Sequence, residues 1–179
     1  VLPELLTRTD GVAHAVQAGK GNVVRGEELR ILRGIGHLDL ALGGVRAHVG
    51  PLGFLQPNPS VAARAYEDLV RGPDGSNLGG DLALDLYAGA GVTTALLRRS
   101  FPRVVPCESY PESARALGVP ALSTERFLEE RLAASDHPDR HPDLVVANPP
   151  RGGLGKDAAA SLVRLGAPRV HLMSCHPEA

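Results

Sequence analysis

Residues 81–100 read DLALDLYAGAGVTTALLRRS. From Leu82 to Tyr87 the run is apolar apart from one carboxylate, Asp85, and from Val92 onward the composition suits a helix. Between them Gly89 and Gly91 permit a sharp turn, because glycine reaches backbone conformations closed to other residues. A strand apolar throughout is expected inside a parallel sheet, where both faces are covered. The turn's position, strand end to helix start, leaves free backbone N–H groups facing whatever sits above the sheet.

The same alternation runs outward from this stretch. Upstream, SVAARAYEDLVRG (60–72) places Val61, Ala65 and Leu69 at helical spacing, with Ser60 as cap and Gly72 as stop. Downstream, RVVPCES (103–109) reads as a strand and PESARALG (111–118) as a short helix closed by Gly118. ALSTERFLEERLAAS (121–135) reads as a strand end entering a helix, and PDLVVANPP (142–150) as a buried strand. Asp157 opens the helix DAAASLVRLG, and RVHLMSC (169–175) is the last strand. The fold class expected is α/β, a mostly parallel, doubly wound sheet of five strands. Ahead of it, HLDLALGGVRAHVG (37–50) has Leu38, Leu40 and Leu42 on one face, a turn at Gly43-Gly44, then Val45, Ala47 and Val49. This is a hairpin pattern. NVVRGEELRILRG (22–34) is expected to form another strand pair. The division expected is a partial β-rich subdomain over 1–55 and a ligand-binding α/β domain over 56–179, preceded and followed by chain not included here.

Composition narrows the function classes. The 179 residues are 43% hydrophobic and 22% charged, with net charge −1, so no general electrostatic attraction to nucleic acid is expected. Aromatic residues are 3% with no Trp, which argues against a base-stacking platform. No apolar run approaches membrane-spanning length, and a cytoplasmic location is expected. Two cysteines, Cys107 and Cys175, are too few for a disulfide framework or a four-thiolate metal site. His137 and His141 lie in the polar, proline-broken stretch DHPDRHPD (136–143) and read as solvated loop residues. No metal site is expected.

The acidic residue that pairs with a Gly-x-Gly turn is Glu108, 19 residues after Gly89, near the spacing expected for a nucleoside-bearing cofactor. The third glycine of the dinucleotide fingerprint is missing from GAGVTT. A pyrophosphate has less of a cradle, which favours S-adenosylmethionine over NAD. Asn148-Pro149-Pro150 sets a rigid, amide-tipped turn at a strand's carboxyl end, placed to hydrogen-bond a planar base.

Four segments in order, GFLQPNPSVA (53–62), LDLYAGAG (84–91), DLVVANPPRGGL (143–154) and HLMSCHPEA (171–179), resemble the motifs of the S-adenosylmethionine-dependent RNA uracil-5-methyltransferases. The resemblance implies a Rossmann-like class I methyltransferase acting on RNA, ribosomal in preference to transfer RNA. It implies a mechanism in which a cysteine thiolate adds to uracil C6 so that C5 becomes nucleophilic enough to take a methyl group. Cys175 takes that cysteine's place. The resemblance assigns Gln56, Tyr87, Gly89, Gly91, Glu108 and Asn148 to the cofactor, and Asn148 and Arg151 to the target base. Three departures stand out: Asn148 where the family has Asp, His176 where it has Asn after the cysteine, and Ser123 at a usually acidic position. The family's proton-abstracting Glu is expected beyond Ala179, and the N-terminal RNA-binding barrel and four-cysteine iron–sulfur segment of some members are not among these 179 residues. Two other readings stay open, a methyltransferase acting on an amine nitrogen through Asn-Pro-Pro and a non-catalytic cofactor-binding scaffold. The resemblance leaves the oligomeric state open.

Overall fold

The structure is a computed structural model that describes residues 2–16 and 28–174. Cys175 and His176, and residues 22–27 of the expected first strand pair, lie outside the described residues. The centre of the fold is a parallel sheet in the order β6-β5-β7-β8. Its strands are β5 (Leu82–Leu86), β6 (Arg103–Cys107), β7 (Leu144–Ala147) and β8 (Val170–Leu172). Every residue of β5 and β7 is buried, as their apolar composition requires. The stretch 121–135 supplies only a single parallel bridge, Ala121 to Glu108, before its helix. Among the described residues the sheet therefore has four strands, not five: Ser123 already caps the helix, which leaves no length for a ladder.

Alternation along the two central strands sorts the helices onto two faces. Leu82, Leu84, Leu86, Val145 and Ala147 pack with Phe127 and Leu128 of α5 (Thr124–Ala133) and with Ala158, Leu162 and Leu165 of α6 (Lys156–Leu165). Ala83, Leu144 and Val146 face the other way, against Leu69 of α2 (Pro59–Leu69) and Leu97 of α3 (Val92–Leu97). α4 (Pro111–Leu117) ends on Gly118 at φ 72°, the left-handed cap that the sequence indicates. The start of β5 is held by Asp143, whose Oδ2 accepts hydrogen bonds from Asp81 N at 2.7 Å and Leu82 N at 3.0 Å. Those two N–H donors lower the Asp143 pKa below the ordinary carboxylate value.

The hairpin forms as expected from β3 (Leu38–Leu42) and β4 (Val45–Val49), with positive φ at both Gly43 and Gly44. Its inner face, Leu42, Val45, Ala47 and Val49, packs on Ala62 and Tyr66 of α2 and on Val92 and Leu96 of α3. Leu38, at the open end, is 60% exposed. The other β element differs from expectation. β2 (Glu28–Gly34) pairs with β1 (Gly11–Val16), which follows a short helix, α1 (Leu2–Arg8), and neither β1 nor α1 has a strong sequence pattern. The loop 136–143 is also more than a polar connection. Asp139 is buried between Arg131, 3.2 Å from Oδ2, and Arg103, 2.5 Å from Oδ1 as an ion pair without hydrogen-bond geometry. His137 is half-buried, and its Nδ1 accepts from Asp139 N at 3.1 Å.

Two local features were assigned differently by sequence. The cap of α2 is Asn58, whose side chain accepts from Val61 N at 3.2 Å, and Pro59 takes the first helical position. The buried stripe is Ala62, Tyr66 and Leu69, and Val61 is 61% exposed. Starting the helix before Ser60 rotates the inward face by one residue. Asn58→Ala is accordingly expected to cost about 1 kcal/mol in urea unfolding, and Ser60→Ala to stay within about 0.5 kcal/mol.

Asp85 joins β5 to α3. It is 1% exposed, and it accepts from Thr93 Oγ1 at 2.9 and 2.8 Å and from Thr94 Oγ1 at 2.5 Å. No cation pairs with it among the described residues. Burial pushes its pKa from 3.8 up to about 6; the two threonine hydroxyls counter part of that, and Glu108 adds to it. An acid whose native pKa is raised holds its proton more tightly when folded, so its contribution falls as pH climbs from about 4 through 6. A rise of about 2 units corresponds to about 3 kcal/mol. Between pH 4 and pH 7 the parent should lose about that much stability relative to Asp85→Asn in urea melts. Parallel pH profiles of parent and variant would show that Asp85 is not the titrating group.

Candidate cofactor and base site

The site lies at the carboxyl ends of β5, β6 and β7, the edge where open α/β sheets place ligands. Its floor is the turn from Tyr87 to Gly91. Tyr87 is the only described non-glycine residue with positive φ, 60°. For a bulky side chain that conformation is unfavourable and persists only where the surroundings enforce it. Here Ala88 N donates to Cys107 O at 3.0 Å, and Gly91 N closes the turn on Ala88 O at 2.8 Å. The Tyr87 side chain is half-buried and its hydroxyl reaches Leu154 O at 3.5 Å. Desolvation raises its pKa above the ordinary phenol value. Gly91 is needed twice over: φ is 78°, and a Cβ would lie 2.7 Å from Leu117 Cδ2. Gly89 has φ 56°, and a Cβ there would meet only Tyr87 O at 3.9 Å, an ordinary contact, so its contribution is conformational freedom and access.

Glu108 is the residue that the structure brings directly to the turn. It is 8% exposed, at the end of β6. Oε2 accepts from Gly89 N at 2.8 Å and Oε1 from Tyr110 N at 2.7 Å. A carboxylate has about four acceptor sites, so one N–H on each oxygen leaves room for hydroxyl donors such as a ribose pair.

Asn148 follows β7, and its N–H donates to Leu86 O at 3.4 Å. That places it beside Tyr87 on the neighbouring strand end. Its side chain is half-buried and makes no hydrogen bond among the described residues. Pro149 is buried, and Arg151 is exposed on the turn beyond. Gln56 is half-buried, two residues before the Asn58 cap. Neither Gln56 nor Arg151 makes a hydrogen bond to the turn among the described residues. Ser123 is committed to capping α5, accepting from Arg126 N at 3.3 Å. Cys107 is buried, with its thiol pushed up to about 12 by desolvation, as suits a structural cysteine.

The sequence marks Asp85 as the one carboxylate of an apolar strand but does not single out Thr93 and Thr94, the donors that hold it. The signal was present: two hydroxyls in the first turn of a helix that opens right after the strand holding a lone acid. Tyr110, whose backbone N–H orients Glu108, carries no such signal, because any residue supplies an N–H.

No family model matches the chain. It is 28% identical over 162 residues to the 23S rRNA (uracil(747)-C(5))-methyltransferase RlmC of Shewanella amazonensis, covering 87% of this chain and 42% of that protein. An uncharacterized RNA methyltransferase of Gloeobacter violaceus is 28% identical, over 93% of this chain and 37% of its own. One of Clostridium tetani is 25% identical, over 94% and 38%. Among solved structures, the Pyrococcus abyssi tRNA (uracil-54, C5)-methyltransferase in complex with S-adenosyl-L-homocysteine superposes with a TM-score of 0.64 at 23% identity, covering 94% of this chain and 42% of that one. The chain thus spans about two fifths of the length of these relatives. With a four-stranded parallel sheet among its described residues between two layers of helices, it has a Rossmann-like methyltransferase fold; of these proteins, the Shewanella and Pyrococcus ones are named as uracil-C5 methyltransferases and the other two as RNA methyltransferases.

Proposed function

We propose that this chain forms the cofactor-binding and base-presenting part of an S-adenosylmethionine-dependent RNA uracil-5-methyltransferase. The observation that carries the reading is the Glu108 carboxylate fastened to Gly89 N–H at 2.8 Å, beneath a strained Tyr87 turn at the carboxyl edge of the sheet. A pre-oriented acid beside the half-buried Gly89 suits a nucleoside: the carboxylate takes ribose hydroxyls while the glycine lets the ligand approach the backbone. The bound cofactor would supply an electrophilic methyl group on a sulfonium sulfur.

The chain's own residues would do the rest. Tyr87, Gly89 and Gly91 line and floor the cofactor site, Gln56 closes it, and Asn148 and Arg151 hold the base or its flanking phosphate. Asn148, as an amide, offers both a donor and an acceptor to a uracil edge, which matches the alternating imide face of that base. Cys175, in the role that the sequence assigns it, adds as thiolate to C6, and the electron pair of the C5–C6 double bond moves onto C5 and O4. C5 would then bond to the methyl carbon as the methyl–sulfonium bond breaks and S-adenosylhomocysteine leaves. A base would take the C5 proton, and the electron pair of that C–H bond would re-form the C5–C6 double bond as the carbon–sulfur bond to Cys175 breaks and releases the thiolate. His176, the next residue in the sequence, is proposed as the partner of the thiolate.

The relative named as a 23S rRNA enzyme supports a ribosomal substrate, and the solved tRNA enzyme supports only the fold. The division into 1–55 and 56–179 belongs to the same proposal, with the β3–β4 hairpin forming a packed junction on α2 and α3. Among the described residues no helix is long and apolar enough to cross a membrane. A cytoplasmic site of action is proposed on the strength of the RNA substrate. One observation favours transfer to an amine nitrogen instead, the Asn148 side-chain amide set before two prolines without a hydrogen-bond partner among the described residues. That reaction needs no thiolate.

Two measurements test the proposal. Glu108→Gln should weaken S-adenosylhomocysteine binding by about tenfold or more in calorimetry, because it removes a charged acceptor. Unchanged affinity would remove Glu108 from the site. RNA carrying 5-fluorouridine should form a covalent adduct with the protein, since fluorine cannot leave as the C5 proton does. The adduct should vanish in Cys175→Ala. Full methylation by that variant would favour the amine reading.

A further inference from the structure

Among the described residues, one group of side chains outside this site has the chemistry of a metal centre: His37, Asp39 and His48. Asp39 and His48 are directly opposed across the β3–β4 hairpin. His37 lies two residues before Asp39 and projects on the same side, because side chains alternate along extended chain. This is the outer face of the hairpin, away from the Leu42, Val45, Ala47 and Val49 face that packs on α2 and α3. The placement is therefore not a by-product of core packing.

His48 Nδ1 is 2.9 Å from Asp39 Oδ1, and His37 Nε2 is 3.7 Å from Asp39 Oδ2. The two imidazole rings lie 4.0 Å apart, tilted by 36°. All three donor atoms fall within 4.8 Å of one another. Ligand atoms around a tetrahedral zinc ion, each about 2.1 Å from it, are about 3.4 Å apart. Small side-chain rotations would bring these donors to that spacing.

We propose that His37, Asp39 and His48 bind one borderline divalent ion of the zinc type, with water completing the shell. Two imidazoles and one carboxylate suit zinc, and the nitrogen donors disfavour calcium and magnesium, which take oxygen ligands. A simpler reading is a surface pair, with Asp39 Oδ1 accepting a hydrogen bond from His48 Nδ1. That pair accounts for two of the groups, yet it leaves unexplained a second imidazole, His37, tilted against His48 and 3.7 Å from the other oxygen of the same carboxylate. Arg46, on the same face one pleat along, is the nearest group opposing a dication, and the exposure of the site screens its charge. Bound there, the ion would tie the residue ahead of β3 to β4 and lock the open end of the hairpin, where Leu38 is least covered. This departs from the sequence expectation of no metal site, which weighed only His137 and His141. The separation of 37, 39 and 48 along the chain becomes a cluster only once the hairpin register is known.

The test is zinc chloride titration of the metal-stripped 179-residue chain by calorimetry at neutral pH. One equivalent should bind, and His37→Ala and His48→Ala should each weaken it by about tenfold or more. The His137→Ala/His141→Ala double variant should bind as the parent does. Cobalt(II) in place of zinc should broaden NMR signals of residues 37–48 selectively, a readout that a misfolded variant cannot imitate. Absence of binding, or an isotherm unchanged in His37→Ala/His48→Ala, would overturn the site.

Discussion

A buried carboxylate with no cation sets the geometry of this protein. Asp85 sits inside the central strand of a parallel sheet, at 1% exposure, and holds three hydroxyl contacts from Thr93 and Thr94. Removing an ionised group from water is costly unless hydrogen bonds replace the lost solvation. The threonines do so from the first turn of α3, which binds the beginning of that helix to the end of β5. The intervening residues, 87–91, then have a fixed and short distance to cross. Positive φ at Tyr87, Gly89 and Gly91 is the consequence.

That constraint propagates to the ligand edge. A turn held at both ends presents Gly89 N–H in one direction, and Glu108 on the adjacent strand meets it at 2.8 Å. Glu108 is in turn fixed by Tyr110 N–H, so the carboxylate is oriented before any ligand arrives. Preorganisation of this kind lowers the ordering cost that binding would otherwise carry. The cluster also has an electrostatic cost, because Glu108 raises the pKa of Asp85 while burial does most of the work. Two carboxylates on neighbouring strand ends are tolerable because one is solvated by hydroxyls and the other by backbone N–H groups.

How far sequence could reach follows from the same physics. The apolar runs of β5 and β7, the glycine turn and the Gly43-Gly44 hairpin were legible because each is a local pattern with one economical structure. Glu108 was legible because a chain spacing of 19 residues is what one strand–helix–strand step imposes. The α2 cap was misplaced by two residues since Asn58, Pro59 and Ser60 all suit a helix start, and only the packed stripe of Ala62, Tyr66 and Leu69 decides between them. The short, half-exposed β1 has no alternation to read. Asp139, buried between two arginines, depends on contacts from β6 and α5 that a linear reading of a polar loop does not contain.

Asn148 can be understood within this arrangement. It stands on the strand end next to Tyr87, joined to β5 through Leu86 O. That edge already carries Asp85 and Glu108, and a third carboxylate would add a like charge to an acid whose pKa is near 6. An amide of the same shape keeps hydrogen-bonding capacity at the strand end without raising that acid further. The exchange has a chemical consequence: Asn148 can orient a base through its amide, but it cannot take up a proton at neutral pH. On the proposed reading, a proton that leaves a bound base passes to a different group, and the amide's part is recognition.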